Sequence, residues 1–246
     1  LGRRRSPRRE GPSLSQNIFD DYPRFRETSN VASSLDRLNF RYSHVIDRNR
    51  RLLEGKRVLD IASHDARFTF AAIRGAGAAH VTAIEARQGL VDSARETLSR
   101  YEVPEDRYAL VCGDVFEAIR GIEKNSIDTA MVLGFLYHTA RQYELISTLS
   151  ELGVKNVIVD SNTLRSKQPV IRLKWEGTEL DSQIWDSGRK KVLSSMPSPK
   201  ALKMLLEEFG YEVERLKPQI AVPASAEQYL PGKRATLRVT MPGTRG

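Results

Sequence analysis

Asp60, Glu85 and Asp114 each stand at or just past the end of a short apolar run: Val58-Leu59-Asp60-Ile61, Val81-Thr82-Ala83-Ile84-Glu85 and Leu110-Val111-Cys112-Gly113-Asp114. A carboxylate only accepts hydrogen bonds, and its two oxygens are spaced to hold a diol. Acids at strand ends also cap helices or face water, so each alone has two readings. A fourth run, 129–133, leads into Gly134, Phe135, Leu136, Tyr137 and His138. Histidine titrates near neutral pH and can take a proton from a hydroxyl. His138 is therefore the candidate base, with Tyr137 beside it; the alternative is that both rings only pack beneath the segment above them. His44 and His80, in a helical pattern and at a strand start, read as structural. The single cysteine, Cys112, lies in an apolar run and reads as an inert core thiol. It has no partner for an internal disulfide, which fits a reducing cytoplasm.

These residues need elements to hold them. From Asn30, a good helix cap, Val31, Leu35, Leu38, Tyr42, Val45, Ile46 and Leu53 recur at three- and four-residue spacing, an amphipathic helix ending near Gly55. The segment 14–28, around Pro23, reads as a short helix and a turn. β-branched runs at 57–61, 80–84, 108–112, 129–133 and 157–159 then alternate with helical patterns at about 67–74, 90–101, 115–120 and 140–151. That alternation is the mark of βαβ units, an α/β fold with a mostly parallel sheet and helices on both faces. The rhythm breaks after Asp160, and about 37 residues pass before the next helix, near Ser198 or Pro199, a length usual for functional insertions. Within this stretch, 170–175 and 180–185 flank Glu176-Gly177-Thr178-Glu179 as a hairpin. A helix to Phe209, a stop at Gly210, and strands at 211–216 and 235–241 close the chain. The organisation expected is a flexible basic tail at 1–12, a helical cap at 13–55 and a main domain at 56–246 with a lid insertion at about 161–197.

The order of these landmarks resembles the class I S-adenosylmethionine-dependent methyltransferases, a Rossmann-like fold whose last strand is antiparallel. The resemblance spans roughly residues 56–160. It implies that Asp60, the turn 62–66 with Ala62 and His64, and Phe68 contact the methionine part of the cofactor, and that Glu85, followed by Ala86, holds the ribose hydroxyls. Asp114 would approach the adenine amino group, with Val115 against the ring, and Gly134 would face the sulfonium. Asp160 and Asn162 follow the fifth strand, where metal-dependent O-methyltransferases hold magnesium. The matching acid after strand four is missing, so no metal is assigned, and these two residues are the ones that would hold it. The sequence departs from the family at Ala62, His64 and Ala66, positions where glycine is usual because the backbone passes close to the ligand. Alanine fits there if its φ stays negative, and His64 either caps the next helix, faces solvent or touches a ligand. The same departure counts against a nicotinamide enzyme, whose pyrophosphate needs the bare turn.

Both tryptophans, Trp175 and Trp185, lie in the insertion, where they either cover the cofactor or stack on a ring or sugar of the substrate, or form a small core for the hairpin. Arg172 and its basic neighbours would suit an anionic or polyhydroxylated acceptor. The net charge of +8 does not point to nucleic acid, because five arginines against Glu10 place half of it in the first ten residues. That tail has too few apolar groups to order itself. No run is apolar for the roughly 18 residues of a membrane span, and no signal peptide is read. The expected activity is O-methylation of a small or sugar-like molecule in the cytoplasm, with S-adenosylmethionine as cofactor. An RNA-modifying methyltransferase and a non-catalytic protein of the same fold are the alternatives.

Overall fold

The structure, a computed structural model, describes residues 17–27, 34–178, 188–230 and 232–243; the basic tail, Asn30 and Trp185 lie outside them. β1 (Arg57–Ile61), β2 (His80–Glu85), β3 (Tyr108–Cys112), β4 (Thr129–Leu133) and β5 (Asn156–Asn162) run parallel. β6 (Ile171–Gly177) and β7 (Lys191–Pro197) form a separate antiparallel pair, and β8 (Glu212–Leu216) and β9 (Arg234–Thr240) complete the main sheet. Its order is β3-β2-β1-β4-β5-β9-β8, and β9 runs antiparallel to both its neighbours.

The central strands are buried on both faces, which is why they read as unbroken apolar runs. Successive side chains of β1 point to opposite faces. Val58 packs with Val81, Phe70, Leu98, Phe25 and Tyr42 on one side. Leu59 and Ile61 pack with Ile84, Phe116, Leu145 and Leu202 on the other. The first layer holds α1 (Arg24–Glu27), α2 (Leu35–Arg41), α3 (Arg67–Phe70) and α4 (Gln88–Arg100). The second holds α5 (Val115–Ala118), α6 (Gln142–Glu151) and α7 (Pro199–Glu207). Ser198 starts α7 by accepting the Ala201 N–H at 3.1 Å, with Pro199 in the first turn.

Three expectations need correction. The long N-terminal helix is broken up: α2 passes into a π-helical segment, Tyr42–Ile46, and a 3-10 segment, Asp47–Leu52, that kinks at Asn49. A second π-helical segment, Ala71–Gly75, packs against it, and a Cβ on Gly75 would stand 2.5 Å from the Tyr42 ring. The partner of β6 is β7, at Lys191–Pro197, further along the chain than expected; the expected partner, 180–185, lies outside the described residues. Cys112 is exposed rather than buried, because β3 is an edge strand with no fully buried position. No helix among the described residues is long and apolar enough to cross a membrane.

Candidate functional site

The strand order reverses at β1, whose neighbours are β2 and β4. Open α/β sheets bind ligands at the carboxyl ends of the strands beside such a reversal. The chain leaving β1 turns there through residues 62–66, and Ala62, His64 and Ala66 have φ of 54°, 56° and 58°. These are the positions where the family resemblance expects glycine. The expected negative φ is therefore corrected: the backbone keeps the glycine-type path with side chains on it. Each left-handed residue costs about 1–2 kcal/mol. Neighbouring contacts hold the turn in place. Ser63 N–H donates to Ile84 O at 2.9 Å and Ala66 N–H to Ser63 O at 3.0 Å. His64 N–H donates to Glu85 Oε2 at 3.0 Å. Arg67 grips the Asp65 carboxylate through Nε and Nη2, each at 2.6 Å, and both side chains are buried. Strain that the surroundings enforce gathers at ligand sites.

Three acids face this turn, and only one has a buried guanidinium of its own. Burial works against the charge on Asp65, but Arg67 holds its carboxyl well below the usual range. Asp60 has no such partner. Burial pushes it up to about 7, against the 2.7 Å hydrogen bond from Thr69 Oγ1 and with help from Glu85 and Asp65. Glu85 accepts His64 N–H on one oxygen and Arg87 N–H, at 3.0 Å, on the other. Each oxygen has a second lone pair, so the carboxylate retains capacity for two further donors. Arg67 offsets the charge of Asp65, and Arg87 Nη1 stands 3.9 Å from Glu85 Oε1, which leaves Asp60 as the acid at the turn without a cationic partner among the described residues.

The remaining cofactor candidates lie around the same edge. Gly113 N–H donates to Glu85 O at 3.0 Å, which places Asp114 in the adjoining loop. Asp114 Oδ1 caps α5, accepting Phe116 N–H at 2.8 Å and Glu117 N–H at 3.3 Å, and Val115 is buried behind it. Ala86 is half-buried beside Cys112, whose thiol approaches Ala86 O at 3.7 Å. Phe68 is buried, with the Arg41 guanidinium 4.5 Å above its ring. Gly134, at φ 93°, directs its N–H to Asp160 O at 2.7 Å. A Cβ there would stand 3.8 Å from the Tyr137 hydroxyl.

Beyond Gly134, a 3-10 turn over Leu136–His138 brings the Tyr137 and His138 ring centroids within 4.1 Å, with the planes tilted by 45°. His138 Nδ1 lies 3.4 Å from Glu176 Oε1, and Glu176, expected in a hairpin turn, belongs to β6. Lys174 Nζ lies 3.2 Å from the other Glu176 oxygen. Burial opposes charge on Glu176, but the Ser194 hydroxyl, His138 and Lys174 together hold its carboxyl below the usual range. Alternation along β6 puts Arg172, Lys174 and Glu176 on one face and Leu173 and Trp175 on the other. Trp175 is 68% exposed, on the face away from His138, so the structure does not bring it to the site. Arg172 shares the Glu176 face but is exposed.

Asp160 and Asn162, the residues that would hold a metal if one were bound, are engaged by other groups. Asp160 is fully buried and accepts Arg41 Nη2 at 2.9 Å, Arg234 Nη2 at 2.8 Å, the Tyr229 hydroxyl at 3.0 Å and Thr236 Oγ1 at 3.1 Å. Burial opposes its charge, but Arg234 and Arg41 hold it well below the usual range. Arg234 Nη1 takes Asn162 Oδ1 at 3.0 Å. Oxygens already bound to two guanidiniums do not suit a divalent cation. Among the described residues no group of acids, histidines and cysteines forms a metal site. Arg41 and Arg234 carried no local signal, since 119 and 74 positions separate them from Asp160.

No protein-family model matches the chain, and no curated protein does. Solved structures do. The N-terminal domain of EvdMO1 with SAH bound matches with a TM-score of 0.60 and 15% identity, over 81% of this chain and 80% of that one. A second structure of that domain was obtained in the presence of SAH and D-fucose. The (4+2)-cyclase SpnF matches with a TM-score of 0.59 and 14% identity, over 93% and 96% of the two chains. The glycopeptide N-methyltransferase MtfA complexed with sinefungin gives 0.50 and 18%, over 82% and 87%. The chain has the class I S-adenosylmethionine-dependent methyltransferase fold, with its antiparallel strand next to last in the sheet order.

Proposed function

We propose that the protein transfers the methyl group of S-adenosylmethionine to a hydroxyl of a small or sugar-like molecule. The observation that carries this reading is the turn 62–66, held left-handed at three non-glycine residues between Asp60 and Glu85. The cofactor supplies an activated methyl on a sulfonium. In this reading Asp60 and the turn, with Phe68 alongside, receive its amino-acid end, where the ionised Asp60 attracts the ammonium. Glu85 offers its remaining lone pairs to the ribose diol, with Ala86 next to it. Asp114 and Val115 flank the base, and Gly134 leaves room at the reacting end. His138 Nε2 accepts the proton of the acceptor hydroxyl, with Tyr137 lining the same edge. Arg172 is the candidate contact for an outer part of the acceptor. The D-fucose present with the EvdMO1 domain supports a sugar-like acceptor.

The test is transfer of labelled methyl from S-adenosylmethionine to a panel of sugars and to the small-molecule fraction of a cell extract. Label is expected in an alkali-stable methyl ether. His138→Ala lowers its formation by about 100-fold. Label found only in RNA or on nitrogen, or a His138→Ala rate equal to wild type, contradicts the reading.

A further inference from the structure

We propose that Glu176, carried on β6, is a positioning residue for His138, fixing the imidazole tautomer that has hydrogen on Nδ1 and its lone pair on Nε2. This rests on the reading of His138 as the base. The 3.4 Å separation of His138 Nδ1 and Glu176 Oε1 is just beyond hydrogen-bond length, and such contacts tighten when a site is occupied. The His138 side chain is 8% exposed and that of Glu176 25%, so water screens the pair weakly.

The hairpin itself argues for a purpose. Ile171, Leu173 and Trp175 are 41%, 59% and 68% exposed, while Lys174 and Glu176, on the opposite face, are half-buried. A hairpin built only for stability turns its apolar face inward and its charges to water. This one does the reverse, and sequences break that rule mainly where a site needs the polar group. The hairpin is also fixed against the His138 segment: Ser195 Oγ donates to Thr139 O at 2.9 Å, and Gln142 Nε2 bonds both that carbonyl and Ser195 Oγ. Register along β6 therefore sets where Glu176 stands.

In the transfer step, His138 Nε2 takes the hydroxyl proton as the oxygen bonds to the methyl carbon. The carbon–sulfur bond breaks with its electron pair going to sulfur, which leaves a neutral thioether. The imidazolium is then stabilised by the ionised Glu176 and later loses its proton to water. Lys174, beside Glu176, disfavours that imidazolium, and Glu176 offsets it.

Nitrogen-15 NMR of the full chain with labelled histidine tests this, because the chain has 4 histidines and His138→Ala identifies the signals. Wild type is expected to show neutral His138 with hydrogen on Nδ1. Glu176→Gln keeps an acceptor oxygen but removes the charge, and is expected to lower the His138 pKa by about one, whereas Glu176→Asp restores it. Hydrogen on Nε2 in wild type, or the same pKa in wild type and Glu176→Gln, overturns the proposal. SAH titration of the same samples separates the two readings. Failure to bind SAH overturns the methyl-transfer reading alone; SAH binding with an unmoved His138 pKa overturns the role of Glu176 alone.

Discussion

Glycine and alanine substitutions at position 64 read the strained turn directly. His64 has φ of 56° and its side chain is 42% exposed, so truncation there removes little packing. Both variants lose the same ring contact with Asp65, and their difference isolates the backbone. Alanine keeps the left-handed cost of about 1–2 kcal/mol. Glycine removes it but adds about 0.5–1 kcal/mol of extra chain entropy. His64→Gly should therefore be more stable than His64→Ala by about 0.5–1 kcal/mol. Ser93, in the middle of α4, is the control, where alanine should exceed glycine by about 1 kcal/mol. In a domain of this size each kcal/mol moves Tm by about 2–4 °C, within reach of calorimetry and denaturant titration. Alanine equal to or better than glycine at position 64 would refute the left-handed turn and the argument built on it.

Three further outcomes follow from the buried charges. Asp160→Asn should cost about 3–5 kcal/mol in denaturant titrations, because it strands Arg41 and Arg234 without their counter-charge. His44 is buried, stacked on Phe40 at 5.4 Å, and burial lowers its pKa to about 4. The unfolded chain takes up this proton near pH 6.5 while the folded protein resists until about 4, so stability should fall across that window by about 3 kcal/mol, and His44→Phe should remove that part of the pH dependence. Asp60, at about 7, must be ionised to pair with an incoming ammonium. SAH should then bind about tenfold more weakly at pH 6 than at pH 8, and Asp60→Asn should flatten the profile.

Much of the scaffold was legible because central parallel strands are apolar on both faces: β1 and β4 begin and end where the apolar runs do. Cys112 misled for the same reason, since an apolar run does not reveal whether its strand lies at an edge. β7 was missed because Ser194 and Ser195, fully buried in it, look like loop residues until their hydrogen bonds to the hairpin and to Thr139 are seen. Glu176 was hidden by the ordinary expectation that charged strand faces meet water. Its spacing with Arg172 and Lys174 was the available signal, but only the fold shows which face turns inward. The conformation of the 62–66 turn was marked by position and masked by composition, since alanine and histidine rarely adopt it.

Calorimetric titration of SAH into the full chain tests the central claim most directly. Saturable one-to-one binding is expected, weakened at least tenfold in Glu85→Ala, which loses charge-assisted acceptors at the switch point, and unchanged in Trp175→Ala, whose ring faces away from the site. No binding heat with the wild-type protein across several temperatures, or equal affinity in Glu85→Ala, would contradict the account.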